Sequence, residues 1–444
     1  MMNRRHFLRV AGAAPILALS GGAGLAAASD YRAVICLFLG GGNDGHNSLV
    51  PTDGAYDDYY ASRPGLALAK TELKNLPGSS AGHTFGLNPA LAPLLPAYAE
   101  GRMAWLLNAG PLVMPATAQQ VKERSVVVPS FLLSHSDQVM WQQGWLGDAD
   151  GSGWGGRAME LMPSSLRNPM NAVTMNTNRT LVLGRNSPVS FIGAWGSRHW
   201  GPFDLAQQGN DGTQALMRMA QWQYGSQYSA EYARTFGRSL QESALVTQAT
   251  MNAPEPNTGF DNDELGRGLR RLGTVLPVFK KMGYKRQLFM LQWGGFDTHS
   301  AQRGSAQYSQ DYQLAQVARN VAALDAANKA SGVDGGVVLL IMSDFGRTLR
   351  MASGNGSDHA WGNNWFVLGT PVAGGQVYGT LPTLRLGGVD DADPGGEGRF
   401  VPSMATDQVG ATLMRWLGLP ADQLTAVFPN LANFSTKTLN FLHA

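Results

Sequence analysis

Four short apolar runs punctuate the chain: Ala33–Leu39, Met103–Asn108, Gln287–Gln292 and Val337–Met342, each bounded by Gly or polar residues. Near-continuous apolarity over so few residues, without alternation, is the pattern of a strand covered on both faces. Between these runs the period changes. Ser309–Ala330 carries Leu314, Val317, Val321 and Leu324 at helical spacing, and Asp263–Lys281 and Pro89–Glu100 also read as helices. A mostly polar stretch, 205–248, reads as helices without a strand, inserted over the sheet. Strands alternating with helices predict an α/β protein with a mostly parallel central sheet.

The chain opens differently. Arg4-Arg5-His6-Phe7-Leu8 precedes a weakly apolar stretch from Val10 to Leu25 and then Ala26-Ala27-Ala28. A positive start, a modest apolar middle and a small-residue end form a targeting segment. The paired arginines are the address read by the twin-arginine export machinery. Residues 1–28 are therefore expected to be a signal peptide and 29–444 a single domain, with a periplasmic or secreted destination. The Gly/Ala-rich run falls short of a membrane span, so no stable span is expected after cleavage. Removal of Arg4, Arg5 and Arg9, with no acid, takes the formal charge from +2 to −1. A near-neutral mature chain has no electrostatic footprint for nucleic acid. The single cysteine, Cys36, cannot form an internal disulfide, so stability must come from the core.

Fifty-five glycines cluster in short loops after the apolar runs, the arrangement expected at the carboxyl edge of a parallel sheet. Gly40-Gly41-Gly42-Asn43-Asp44 lacks the Lys-Ser/Thr of a phosphate loop and the spacing of a dinucleotide loop. Asp44 is either a turn-stabilising acid or a metal ligand. Gly294-Gly295-Phe296-Asp297-Thr298-His299 places an acid and an imidazole two apart, a usual pair for a divalent ion or a cap beside a surface histidine. Asp344 and Arg347 follow the run ending at Met342, suited to a metal and an anionic group or to a local salt bridge. His359 lies in another Gly-rich loop. Ser134-His135 precedes a helical stretch, Gln138–Gln143, where a serine is an N-cap or a nucleophile.

These segments together resemble the exported bacterial proteins of the domain-of-unknown-function 1501 family. The matching pieces are the twin-arginine leader, Gly41-Gly42-Asn43-Asp44, Ser134-His135 with Gly144-Trp145, Gly295-Phe296-Asp297-Thr298-His299 and Ser343-Asp344-Phe345-Gly346-Arg347-Thr348. His359 with Trp361-Gly362-Asn363, Thr406-Asp407-Gln408 and Phe428-Pro429-Asn430-Leu431 complete them. That family looks like a branch of the alkaline phosphatase and sulfatase superfamily, which implies a three-layer α/β/α fold. The resemblance implies Asp44, Asp297, His299, Asp344 and His359 as metal ligands and Ser134 at the nucleophile position. Two departures stand out. The superfamily's Asp-His pair is Asp344-Phe345 here, which favours one ion, or a weaker second site, over a tight pair, and no Cys-x-Pro-x-Arg sulfatase signature occurs.

The expected activity is metal-dependent hydrolysis of phosphate or sulfate esters, small or polymeric, with zinc first and manganese or calcium as alternatives. Ser134 or a water attacks, His135 donates or orients a proton, and Arg347 stabilises developing charge. The competing expectation is a non-catalytic binding or assembly protein on a degenerate hydrolase fold. Trp141, Trp145, Trp154, Trp195 and Trp200 would then offer stacking faces to a polymer.

Overall fold

All four apolar runs become strands of one sheet in the computed structural model. It describes residues 30–443 apart from 131, 136–140, 145–149, 188, 195–198, 201–202, 205–210 and 223–224. The signal segment and part of the 205–248 region therefore lie outside the described residues. The strands are β1 (Arg32–Leu39), β2 (Met103–Gly110), β3 (Ala172–Thr174), β4 (Ser190–Phe191), β5 (Arg286–Trp293), β6 (Val337–Ser343), β7 (Asn363–Leu368), β8 (Gln376–Tyr378) and β9 (Met404–Ala405). Their order is β8-β2-β7-β6-β1-β5-β3-β4, with β9 also on β2. Every pairing is parallel except those of β7, which runs against both β6 and β2.

The pleat explains the layers. Ala33, Ile35, Leu37 and Leu39 of β1 face one hydrophobic cluster, and Val34, Cys36 and Phe38 face another. The first cluster takes its helical half from α5 (Glu264–Lys281) and α6 (Gln310–Ala330), through Leu265, Leu269, Leu272, Leu314, Val317 and Val321. The second is built with α2 (Trp154–Leu161) and α7 (Thr406–Leu417), through Trp154, Ala158, Val409 and Leu413. Each such buried aliphatic side chain contributes roughly 1.5–3 kcal/mol. The result is the three-layer α/β/α arrangement with a mostly parallel sheet.

The helices start where their capping chemistry predicts. Ser309 caps α6 on the Tyr312 N–H, and Asp263 caps α5 on the Gly266 N–H. The predicted helix over 89–100 splits into a 3-10 segment, Pro89–Leu94, and a short helix, Leu95–Ala99, because Pro93 and Pro96 lack amide donors. The polar insertion contains α3 (Asp211–Gln221) and α4 (Gln227–Thr250), preceded by a two-residue strand pair at 199–204. A short helix, α1 (Ala55–Ser62), lies between β1 and β2. Among the described residues, no helix is long and apolar enough to cross a membrane.

Candidate metal centre

The carboxyl ends of β1, β5 and β6 lie side by side, so the loops starting at Gly40, Gly294 and Asp344 emerge together. Because β7 is antiparallel, its amino end reaches the same edge and brings the preceding Asp358-His359 with it. Arg347 and His359 sit opposite one another in an isolated antiparallel bridge. Gly346 and Ala360 tighten this ribbon, with N–H···O bonds of 3.1 Å to Trp361 and 2.8 Å to Gly346. The Asn363 amide donates to the carbonyls of Asn43 (3.0 Å) and Phe345 (2.8 Å), tying two of the loops to the start of β7. Gly41, at φ +115°, lets the β1 and β5 loops touch, since a Cβ there would stand 2.4 Å from the Asp297 nitrogen.

Three ligand atoms converge at this edge. His299 Nε2 lies 2.9 Å from Asp297 Oδ1, His359 Nε2 lies 3.1 Å from the same oxygen, and the two nitrogens are 3.1 Å apart. The far nitrogens of both rings are engaged. His359 Nδ1 is 2.7 Å from the Leu133 carbonyl, and His299 Nδ1 is 2.9 Å from an Asp358 carboxylate oxygen. Both partners only accept, so each Nδ1 carries a hydrogen and each Nε2 is turned inward toward Asp297. Two ring nitrogens and a carboxylate oxygen this close together call for positive charge among them, on a ring or on an ion. Ligands of a tetrahedral ion bonded at about 2.0–2.1 Å stand about 3.3 Å apart, close to the spacing here. The donor set, two imidazoles and a carboxylate with their outer hydrogen bonds made, suits a divalent ion such as zinc.

His135 adds a third imidazole. Its Nε2 is 3.4 Å from Asp297 Oδ2 and its Nδ1 is 3.4 Å from Asp344 Oδ2. The ligand atoms of His135, Asp297 and His359 all lie within 4.8 Å of one another. The Asp344 hydrogen bond raises the His135 pKa above its usual value, against burial, with both carboxylate charges helping. Burial pushes the Asp297 carboxyl up, but the Arg347 hydrogen bond and charge, with His359 and His299, outweigh it and hold the group at about 2. Phe345 fills the space beneath the rings, with its centroid 4.5 Å from that of His359 and 5.3 Å from that of His135.

Three of the expected site residues have other surroundings. Asp344 is fully buried and held by the N–H groups of Gly41 (3.0 Å) and Gly42 (2.6 Å), so it reaches the cluster through His135. Arg347 is also fully buried. Its donors meet the carbonyls of Gly42, Ser357, Gly41 and Phe296 and the Asp297 carboxylate. The expected role for Arg347 on an exposed anion gives way to a clamp behind Asp297, because the enclosed guanidinium faces protein. Asp44 lies in a separate buried network with Arg63 and Gln302. Ser134 is half-buried next to His135.

Sequence patterns had not singled out Asp358, Arg63 or Gln302. Asp358 adjoins His359, but adjacency does not show that it serves His299, 59 residues away. Trp141 and Trp154 are core residues and offer no stacking face. Trp145, Trp195 and the side chain of Trp200 lie outside the described residues.

Residues 31–425 match a family model described as "Protein of unknown function (DUF1501)". The chain belongs to the DUF1501 family. No curated protein matches it. Similar solved structures include Ps i-CgsB in complex with k-i-k-neocarrahexaose, at 10% identity, covering 90% of this chain and 77% of that one, with a TM-score of 0.36. The PsFucS1 sulfatase from Pseudoalteromonas sp. follows at 11% identity, 86% and 71% coverage and a TM-score of 0.34. The lipoteichoic acid synthase LtaP from Listeria monocytogenes shows 10% identity, 88% and 72% coverage and a TM-score of 0.33.

Proposed function

We propose that this DUF1501 protein is a metal-dependent hydrolase of phosphate or sulfate esters, exported by the twin-arginine route and active in the periplasm or outside the cell. The supporting observation is the inward convergence of His299 Nε2, His359 Nε2 and Asp297 Oδ1, with both outer nitrogens already hydrogen-bonded. A divalent ion held by these residues supplies Lewis-acid polarisation of an ester oxygen. The protein does the rest. His135, flanked by two carboxylates, holds a proton to deliver to the departing oxygen. Asp344 keeps that ring oriented and is itself fixed by the Gly41 and Gly42 amides. Arg347 fixes Asp297 from behind. The Ser134 hydroxyl, beside His135 in the chain, or a water provides the attacking oxygen.

One observation favours the competing reading of a binding protein on a retired hydrolase scaffold. Phe345 packs where the resemblance leads one to expect a further imidazole. Elemental analysis of the exported, matured protein beside Asp297→Asn, with a panel of nitrophenyl phosphate and sulfate esters, separates the two. Near-stoichiometric metal lost in the variant, together with turnover, supports the hydrolase. Metal without turnover, or absence of metal from the folded wild type, supports the binding protein and overturns the hydrolase.

A further inference from the structure

The two acids expected as ligands from the β1 and β5 loops differ in what surrounds them. Asp44 is fully buried, and all its acceptor capacity is directed to protein. Oδ1 accepts from the N–H groups of His46 (3.0 Å) and Asn47 (3.3 Å), and Oδ2 accepts from Arg63 and from the Gln302 amide at 2.6 Å. Arg63 is itself fully buried and donates through Nη1 to the Thr348 carbonyl. Gln302 is held in turn by Ser357 and Thr298 on its oxygen. This carboxylate already has its cation.

Formal charge at the edge points the same way. Asp44, Asp297, Asp344 and Asp358 are four carboxylates, and Arg63 and Arg347 are two buried guanidinium ions ion-paired with Asp44 and Asp297. Asp44, sealed from water with Arg63 in contact, is charge-balanced without any added ion, whereas Asp297 and Asp358 stay open to solvent. Charges removed from water must be balanced locally, and the Arg63 pair meets that need at Asp44.

We infer that the centre binds a single divalent ion, and that the Arg63 guanidinium serves as a built-in cation on Asp44 where a second ion would otherwise be needed. The inference rests on the metal-dependent reading above and specifies it. Asp44 is a positioning residue, keeping the Gly-rich loop after β1 in place through Arg63 and Gln302.

The test titrates Mn²⁺ into metal-stripped full-length protein, reading stoichiometry by calorimetry and the spin state by electron paramagnetic resonance. One ion per chain with an isolated-ion spectrum is expected, and Gln302→Ala, which removes one donor to Asp44, should leave the count at one and the affinity within about threefold. Two ions per chain, an exchange-coupled spectrum, or loss of the ion in folded Asp44→Asn overturns the inference and leaves the hydrolase reading standing. No binding to the folded wild type overturns the metal-dependent reading itself and this inference with it. Should Asp44→Asn fail to fold, the wild-type stoichiometry and spectrum decide the question alone.

Discussion

The same short pattern, two glycines, one residue and an aspartate, follows two adjacent strands. Gly41-Gly42-Asn43-Asp44 follows β1, and Gly294-Gly295-Phe296-Asp297 follows β5. Asp44 ends in a sealed network of a guanidinium, an amide and two backbone N–H groups. Asp297 is 42% exposed and meets Arg347 on one side and imidazoles on the other. The difference comes from partners remote in sequence. Arg63 closes the first carboxylate, whereas His299 and His359 turn their inner ring nitrogens toward the second. An identical local signal is thus sealed in one loop and open to solvent in its neighbour.

Removing each partner sharpens that contrast. The largest effect is expected from Arg63→Ala, which strands Asp44 as a buried, uncompensated charge and should cost about 3–5 kcal/mol in chemical denaturation. A loss under 1 kcal/mol would show that water enters the network and that it is not sealed.

A third carboxylate, Asp407 in the first turn of α7, supplies a reference without a cation in contact. It is buried, and one of its oxygens has no hydrogen-bond partner among the described residues. Burial raises it from 3.8 to about 7. The folded protein therefore keeps a proton that the unfolded chain releases, so this contribution to stability is complete below about pH 4 and is lost as pH rises through 7. Asp407→Asn should flatten that dependence and stabilise the protein at pH 8 by as much as about 4 kcal/mol. Identical pH–stability curves for the two proteins would refute it.

On the open side, Asp297→Asn should weaken divalent-ion affinity by more than about 100-fold while leaving the melting temperature of the metal-free protein within a few degrees. Asp358→Ala, which removes only the outer partner of His299, should cost about 10–100-fold in the same competition assay. Equal affinities for wild type and Asp358→Ala would mean that the outer hydrogen bond does not orient the ring.

Much of the fold was legible because periodicity and capping are local. β1, β2, β5 and β6 start or end within a residue or two of the apolar runs, and α5 and α6 begin one residue into the predicted helical stretches. β7 was not legible. Asn363-Asn364 opens it with two polar residues whose amides serve neighbouring loops, which masks the strand pattern. Within the site, Asp297, His299 and His359 could be read from their loops, and the structure brings them together. The enclosure of Arg347 and the Arg63 pairing could not, because burial depends on which loops stack, and no spacing along the chain encodes that.

The reversed strand also bears on how such a protein can diversify. Because β7 returns from the edge at which β6 ends, the stretch from Asp344 to Gly362 enters and leaves the sheet on one side. It needs no crossover through a helical layer. Changes in its middle need not rethread the chain, but Gly354 and Asn355 accept from the Ala301 and Gln302 N–H groups, so they act directly on the loop that carries His299. Under the proposed hydrolase function, selection for a new ester is expected to act first on that excursion, while Asp344 and His359, anchored at its two ends, stay in register.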